Sequence, residues 1–227
     1  MLEFTMQPIF GVSLCVFAYV LGMRVKNCFS TSLVNPLVIA VLTIIGFLYA
    51  FRIPLENFMT GGRFVSMLLA PATASIALSM YRQREIIKKN AVPIVVGCTV
   101  GATTALFSVW ALCKLFKLPE NVTMSLLPKS ITNAIATELA AKFGGIVPLA
   151  VAGVFFTGVF GAVLSPYFIK WFRIKNSIAS GLAIGSSSHA LGTSKAIEIG
   201  ETEGSMSGIA IGLCGLVTAI LVSLIFG

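Results

Sequence analysis

The apolar positions of this chain run in blocks too long for the core helices of a soluble domain. Stretches at 6–23, 34–51, 64–81, 91–113, 146–169 and 205–226 are almost free of charge. About 20 apolar residues carry a helix across a ~30 Å hydrocarbon core, so the pattern predicts about six transmembrane helices. Two further stretches have the length but not the composition. Residues 124–143 read MSLLPKSITNAIATELAAKF, and residues 177–200 read SIASGLAIGSSSHALGTSKAIEIG. Each sets Lys and Glu among Ser, Thr and Ala, joined by Asn in the first and Gly in the second, and the second holds the single histidine. The fold class expected is an all-α integral membrane protein, with these two as re-entrant or broken polar segments. Residues 1–227 form one polytopic membrane domain in this reading.

Composition sharpens the assignment. Hydrophobic residues are 57% of the chain and charged residues 11%, against about 25% charged in soluble proteins. Mean hydropathy is +0.97. The net charge of +8 comes from 16 Lys and Arg against 8 acids, and every acid is Glu. In an apolar chain this excess is expected in short cytoplasmic loops, with no nucleic-acid partner. The five cysteines are scattered without a Cys-x-x-Cys pair and read as packing residues, neither a disulfide framework nor a metal site. A cleavable signal would place basic residues before its apolar stretch. Here Glu3 precedes it and Arg24 and Lys26 follow, so the N-terminus is expected outside.

Lys and Arg counts bear on the two polar segments. If both crossed fully, basic residues would be shared equally between the two sides. If both turn back, Lys170, Arg173 and Lys175 join the cytoplasmic set and Lys142 leaves it, giving nine against five. The re-entrant arrangement follows the positive-inside bias better. Broken backbone at membrane depth survives only buried in protein or lining a wet cavity. Two such segments from opposite faces would meet near the midplane, where transporters bind substrate. The chain also suggests an inverted repeat, with residues 68–90 paired to 182–204 and halves 34–113 and 146–226 joined by 114–145.

Within 124–143, Pro128 is expected to start a helix. Helical spacing then puts Lys129, Asn133 and Thr137 on one stripe, with Ser130, Ala134 and Glu138 beside it. A cation at a helix N-terminus suits an anion; an amphipathic helix lying in the headgroups is the other reading. Within 177–200, Ser186, Ser187 and Ser188 lead into His189 after Gly185, a composition that predicts a helix break. His189 shares a face with Thr193, while Lys195 and Glu198 are spaced to pair. Gly and Ser here would equally serve close helix packing. Pro71, with Thr73 after it, is expected to break the third span. Enzyme signatures are absent: the chain has one His, no Asp and no Gly-x-Ser-x-Gly, and it is not expected to be an enzyme.

Three blocks together resemble the LrgB/CidB family: LLPKSITNAIATEL at 126–139, GLAIGSSSHALGTSKAIEIGETEGSMSGIAIGL at 181–213, and LLAPATASIALSMYRQRE at 68–85. Carried over onto matching positions, the resemblance points to Lys129, Ser130, Thr132, Glu138, Ser188, His189, Gly192, Thr193 and Glu198. The chain departs from the family pattern at Asn133-Ala134 and at Ser205-Met206-Ser207. The resemblance implies a bacterial inner-membrane protein, described as holin- or antiholin-like, linked to murein hydrolase control and autolysis and partnered by a smaller LrgA/CidA-type membrane protein. It also implies kinship with transporters of small carboxylates such as pyruvate and glycolate. Combined with the residue reading, the expected function is ion-coupled transport of a small monocarboxylate, with holin-like control of lysis as the alternative. No cofactor is expected beyond a coupling Na+ or H+. The expected substrate set is Lys129, Ser130, Thr132, Asn133, Ser186, Ser187, Ser188, His189, Gly192 and Thr193. Glu138, Lys195 and Glu198 are the expected coupling or charge-pair residues, and a homodimer is the expected assembly.

Overall fold

The computed structural model describes residues 5–29 and 35–226, except the side chains of residues 69, 72, 73, 76 and 79. Among the described residues the regular structure is all helix, with no strand, in two compact units, 1–75 and 76–227. In the first, α1 (Pro8–Phe29), α2 (Pro36–Ala50) and α3 (Leu55–Met67) pack together. Gly11 of α1 and Gly61 of α3 touch backbone to backbone, and Asn57 Nδ2 donates to Thr5 Oγ1 at 2.9 Å.

Among the described residues, four helices are long and apolar enough to span: α1, α6 (Ala91–Leu115), α9 (Val147–Trp171) and α11 (Glu201–Phe226). At 1.5 Å per residue the 25 residues of α6 or α9 reach about 38 Å. The apolar α2 has 15 residues. The expected span 64–81 is not one helix, because α3 ends at Met67 and α4 (Leu69–Arg82) begins beyond Leu68. Proline explains the displacement of this break. Pro71 is the third residue of α4, where its missing N–H would have bonded Met67 and its ring would have struck that carbonyl. The Thr73 side chain lies outside the described residues. A short α5 (Arg84–Lys89) precedes α6.

The second unit is built on α6, α9 and α11. Its directions follow from close contacts. On entering, α10 (Ser177–Ile199) runs beside α11 in the same sense, with Gly181 on Glu203 and Met206, and Gly185 on Ser207 and Ala210. Past His189 the sense inverts: Thr193 bonds Ser207 and Ile197 packs on Gly204. Gly192 touches Ile184, a residue that a straight helix would hold about 12 Å away along its axis. The turn is made at His189 itself, φ 40° and ψ −137°. This expected polar segment is therefore a helical hairpin that returns to the end it came from.

The other polar segment does the same from the opposite end. The entry limb of α10 is parallel to α6 (Gly97 on Leu182, Gly101 on Ser186) and antiparallel to α9, whose Gly161 meets Ser188. Hence α6 finishes and α9 starts at the same end of the bundle. Between them, α7 (Glu120–Leu126), a turn at 127–132 and α8 (Asn133–Lys142) leave and regain that end. Ser125 ties the return: its Oγ donates to Asn121 O at 2.6 Å and accepts from Ile146 N at 2.6 Å.

Candidate functional site

The first hairpin differs from its expected form. Pro128 does not start a helix; it stops one. Without an N–H it cannot extend the ladder of α7, and the chain passes through turns in which Lys129 N bonds Leu126 O and Ile131 N bonds Pro128 O. The next helix starts at Asn133, behind Thr132 in an extended conformation, φ −67° and ψ 148°. Lys129 and Ser130 therefore sit in the tip and share no helical stripe with Asn133 and Thr137. Both are half-buried, as is Thr132, and Asn133 is exposed. Thr132 makes no side-chain cap bond to α8, so the first amides of that helix keep their donors.

In the second hairpin the polar residues close the turn. Ser186 and Ser187 donate to Ala183 O at 3.2 and 2.8 Å, and Ser187 and Ser188 hydroxyls are 2.9 Å apart. Ser188 is fully buried and His189 is 4% exposed. His189 Nε2 lies 2.9 Å from Val154 O. A carbonyl only accepts, so Nε2 carries the proton and Nδ1 is the acceptor of the neutral ring. Thr193 donates to His189 O at 3.0 Å and so accepts from Ser207 at 2.7 Å. A residue with φ of 40° outside glycine costs roughly 1–3 kcal/mol, and this double tie to α9 and α11 holds it there.

Both tips converge on the centre of α9. Lys129 packs by Gly153, the His189 ring by Gly158, and Ser188 by Gly161. Lys129 lies within electrostatic reach of His189. Ser186 meets Gly101 at the middle of α6. The structure thus brings together Lys129 of one tip and Ser186, Ser187, Ser188 and His189 of the other, with Gly192 and Thr193 supporting. It does not bring in the charge-pair residues. Glu138 is exposed on α8, and Lys195 pairs with Glu198 at 2.7 Å on the return limb, toward the open end of its hairpin.

Several contributors carried no signal of their own in the sequence. Val154 lends a carbonyl, and Gly158 and Gly161 lend the absence of a side chain. A Cβ at Gly158 would stand 2.5 Å from His189 Cε1. Ser207 completes the chain of hydroxyls. Ser165 Oγ is buried with no hydrogen-bond partner among the described residues, and it lines a cavity of about 220 Å³ with Ser187 and Ser188. Phe160, Leu164 and Phe168 form its apolar wall. The tips thus present one lysine, several hydroxyls and the first amides of α8, groups whose chemistry suits an anion.

A protein of Bacillus subtilis (strain 168) described as uncharacterized protein YxaC is 37% identical over 205 residues, covering 90% of this chain and 89% of that one. Proteins described as antiholin-like protein LrgB, from Bacillus mycoides (strain KBAB4) and Bacillus cereus (strain B4264), are each 35% identical over 219 residues, 96% of this chain and 95% of theirs. No solved structure matches the chain. The family model described as LrgB-like matches residues 15–227, a range that includes both hairpins and all three helices that frame them. By that match and by these relatives, the chain is a multi-pass membrane protein of the LrgB-like family.

Proposed function

We propose that the chain is a transporter of small monocarboxylates of the pyruvate or glycolate type, in the bacterial inner membrane. The observation that carries this reading is the meeting of two broken, polar hairpin tips at the centre of α9. Unwound backbone at that depth is expensive unless it is buried in protein or lines a wet cavity, and opposed half-helices are how transporters form a central site. Lys129 and the uncapped amides of α8 supply positive potential for one carboxylate. The Ser186–Ser188 hydroxyls would turn from their present acceptors to donate to the rest of a small polar molecule. His189, whose Nε2–H is held by Val154 O, would meet it through Nδ1. A carboxylate stripped of water at mid-depth needs such compensation.

Coupling would use Na+ or H+, and neither Glu138 nor the Lys195–Glu198 pair stands at the tips themselves. Orientation follows from charge. The end entered by α10 carries Lys88, Lys89, Lys170, Arg173 and Lys175, and the other carries Lys114, Lys117 and Lys142. This supports a cytoplasmic position for the first, and Arg24 and Lys26 near the end of α1 independently support an N-terminus outside. A homodimer would give the two hairpins a fixed scaffold.

A second reading rests on the relatives' printed description as antiholin-like. In it the protein restrains cell lysis together with a smaller membrane partner of the LrgA/CidA type. The two readings separate in one experiment. Purified protein in proteoliposomes should accumulate labelled pyruvate, glycolate or lactate under an imposed Na+ or proton gradient. Absence of uptake under both gradients, by protein shown to be folded, would leave the antiholin reading.

A further inference from the structure

The chain matches itself in a register different from the expected pairing of 68–90 with 182–204. Helices α6 and α9 are both 25 residues long, and α9 starts and ends 56 positions after α6. Keeping that offset without a gap aligns 91–144 with 147–200. Ten of the 54 pairs are identical and eight of those fall in the 31 pairs from 114 onward. They include Gly97 with Gly153, Phe116 with Phe172, Ser130 with Ser186, Ala134 with Ala190, Thr137 with Thr193 and Gly144 with Gly200. Composition alone favours chance matches among small residues, so the geometry has to decide.

Three structural matches fall in the same register. First, the long helices end on one cap: Lys117 and Arg173 have φ of 52° and 53°, and Leu118 N and Ile174 N bond back to Cys113 O at 2.9 Å and Ile169 O at 3.0 Å. Secondly, each chain turns at the paired positions, with α8 starting at Asn133 and the α10 reversal at His189. The return limbs bury the same face, Ala136 with Ala140 and Gly192 with Ala196. Thirdly, contacts between the two segments are reciprocal. Gly97 faces Leu182, and Gly153, its counterpart, faces Leu126, the counterpart of Leu182. Reciprocal contact of this kind is the signature of a two-fold relation. Since α6 and α9 run in opposite senses, that axis lies across the bundle.

We infer that residues 91–144 and 147–200 are two inverted copies of one helix-and-hairpin unit, and that a single ligand site lies on the axis between the two tips. Asn133 is then the counterpart of His189, and Thr132 that of Ser188. Lys129 has no charged counterpart, because Gly185 occupies that position against Ser207, so the site carries one fixed cation on one side of a near-symmetric pair. The shared site rests on the transport reading above; the inverted duplication does not.

Single cysteines test both parts in sealed, oriented vesicles, with the five native cysteines replaced. Ala141→Cys and Ile197→Cys stand at paired positions on the two return limbs, both exposed. An impermeant maleimide should label them at least tenfold faster from opposite sides. Ala134→Cys and Ala190→Cys, beside the tips, should both be protected by saturating pyruvate. Labelling of 141 and 197 from the same side overturns the duplication. Protection of only one tip overturns the shared site. Opposite-sided labelling with neither tip protected upholds the duplication and counts against carboxylate as the ligand. Where the cysteine-free protein does not fold, Cys98, Cys113 and Cys214, all buried, are kept and the same comparison is read above their background.

Discussion

Replacing Gly158 with alanine is a small change placed where the structure has no room for it. The added Cβ would stand 2.5 Å from His189 Cε1, 2.9 Å from Nε2 and 2.8 Å from a methyl of Leu191. Carbon atoms settle at about 3.5–4.0 Å, so the imidazole must retreat by roughly 1 Å. That stretches the 2.9 Å contact to Val154 O past hydrogen-bonding range. Stranding a buried donor costs about 1–3 kcal/mol, and overpacking costs a similar 1–3 kcal/mol. The better helix propensity of alanine returns about 1 kcal/mol. The expected net destabilisation is about 1–5 kcal/mol. A double-mutant cycle isolates the cause. In His189→Ala the ring is gone, and adding Gly158→Ala should then be neutral or slightly stabilising. Unfolding free energies in detergent micelles, followed by the fluorescence of Trp110 and Trp171, give all four corners. Additivity within ~0.5 kcal/mol would refute the placing of His189 against Gly158.

Three further outcomes are expected. Lys129→Gln keeps length and hydrogen bonding but removes the charge, and it should weaken pyruvate binding at least tenfold in folded protein; an unchanged affinity in calorimetry removes Lys129 from the site. Thr193→Val loses the bridge between His189 O and Ser207 and should lower stability by about 1–2 kcal/mol, read as a fall in melting temperature that Ser207→Ala reproduces without adding to it. Cysteines placed at Lys142 and Arg173 should react with an impermeant reagent from outside and inside respectively, and the reverse pattern would invert the orientation drawn from the basic residues.

The spans α6, α9 and α11 were legible because a bilayer-length apolar run has few other uses. The hairpins were legible as anomalies, since Lys, Glu and His within Ser- and Gly-rich segments fit no lipid-facing helix. Their exact turning points were not. Pro128 can equally begin a helix or end one, and only the packing of Leu127 and Ile131 into the core beside Val154 selects the second. The turn at His189, four residues after the Gly185 that looked suited to it, depends on bonds to Val154 O and, through Thr193, to Ser207, partners 35 and 14 residues from the groups they hold. Gly158 and Gly161 looked like ordinary small residues of a membrane helix, because a seat for a side chain is invisible until its occupant is known. The register of 56 was hidden by low identity in the α6 and α9 portions, where lipid and core packing constrain hydrophobicity more than residue type.

The reversal at His189 also sets an order of assembly. A segment whose two ends lie on one side cannot be left in the membrane by the insertion machinery as a finished crossing. Its buried polar groups find partners on α9, made earlier, and on α11, made afterwards. Thr193 has no Ser207, and Gly181 and Gly185 have no backbone to lie against, until the ribosome has supplied residues 201–210. The α10 hairpin must therefore wait at the membrane surface during synthesis and be drawn in with the helix that follows it. Its seating is a step of folding within the bilayer, separate from translocation, and it comes late.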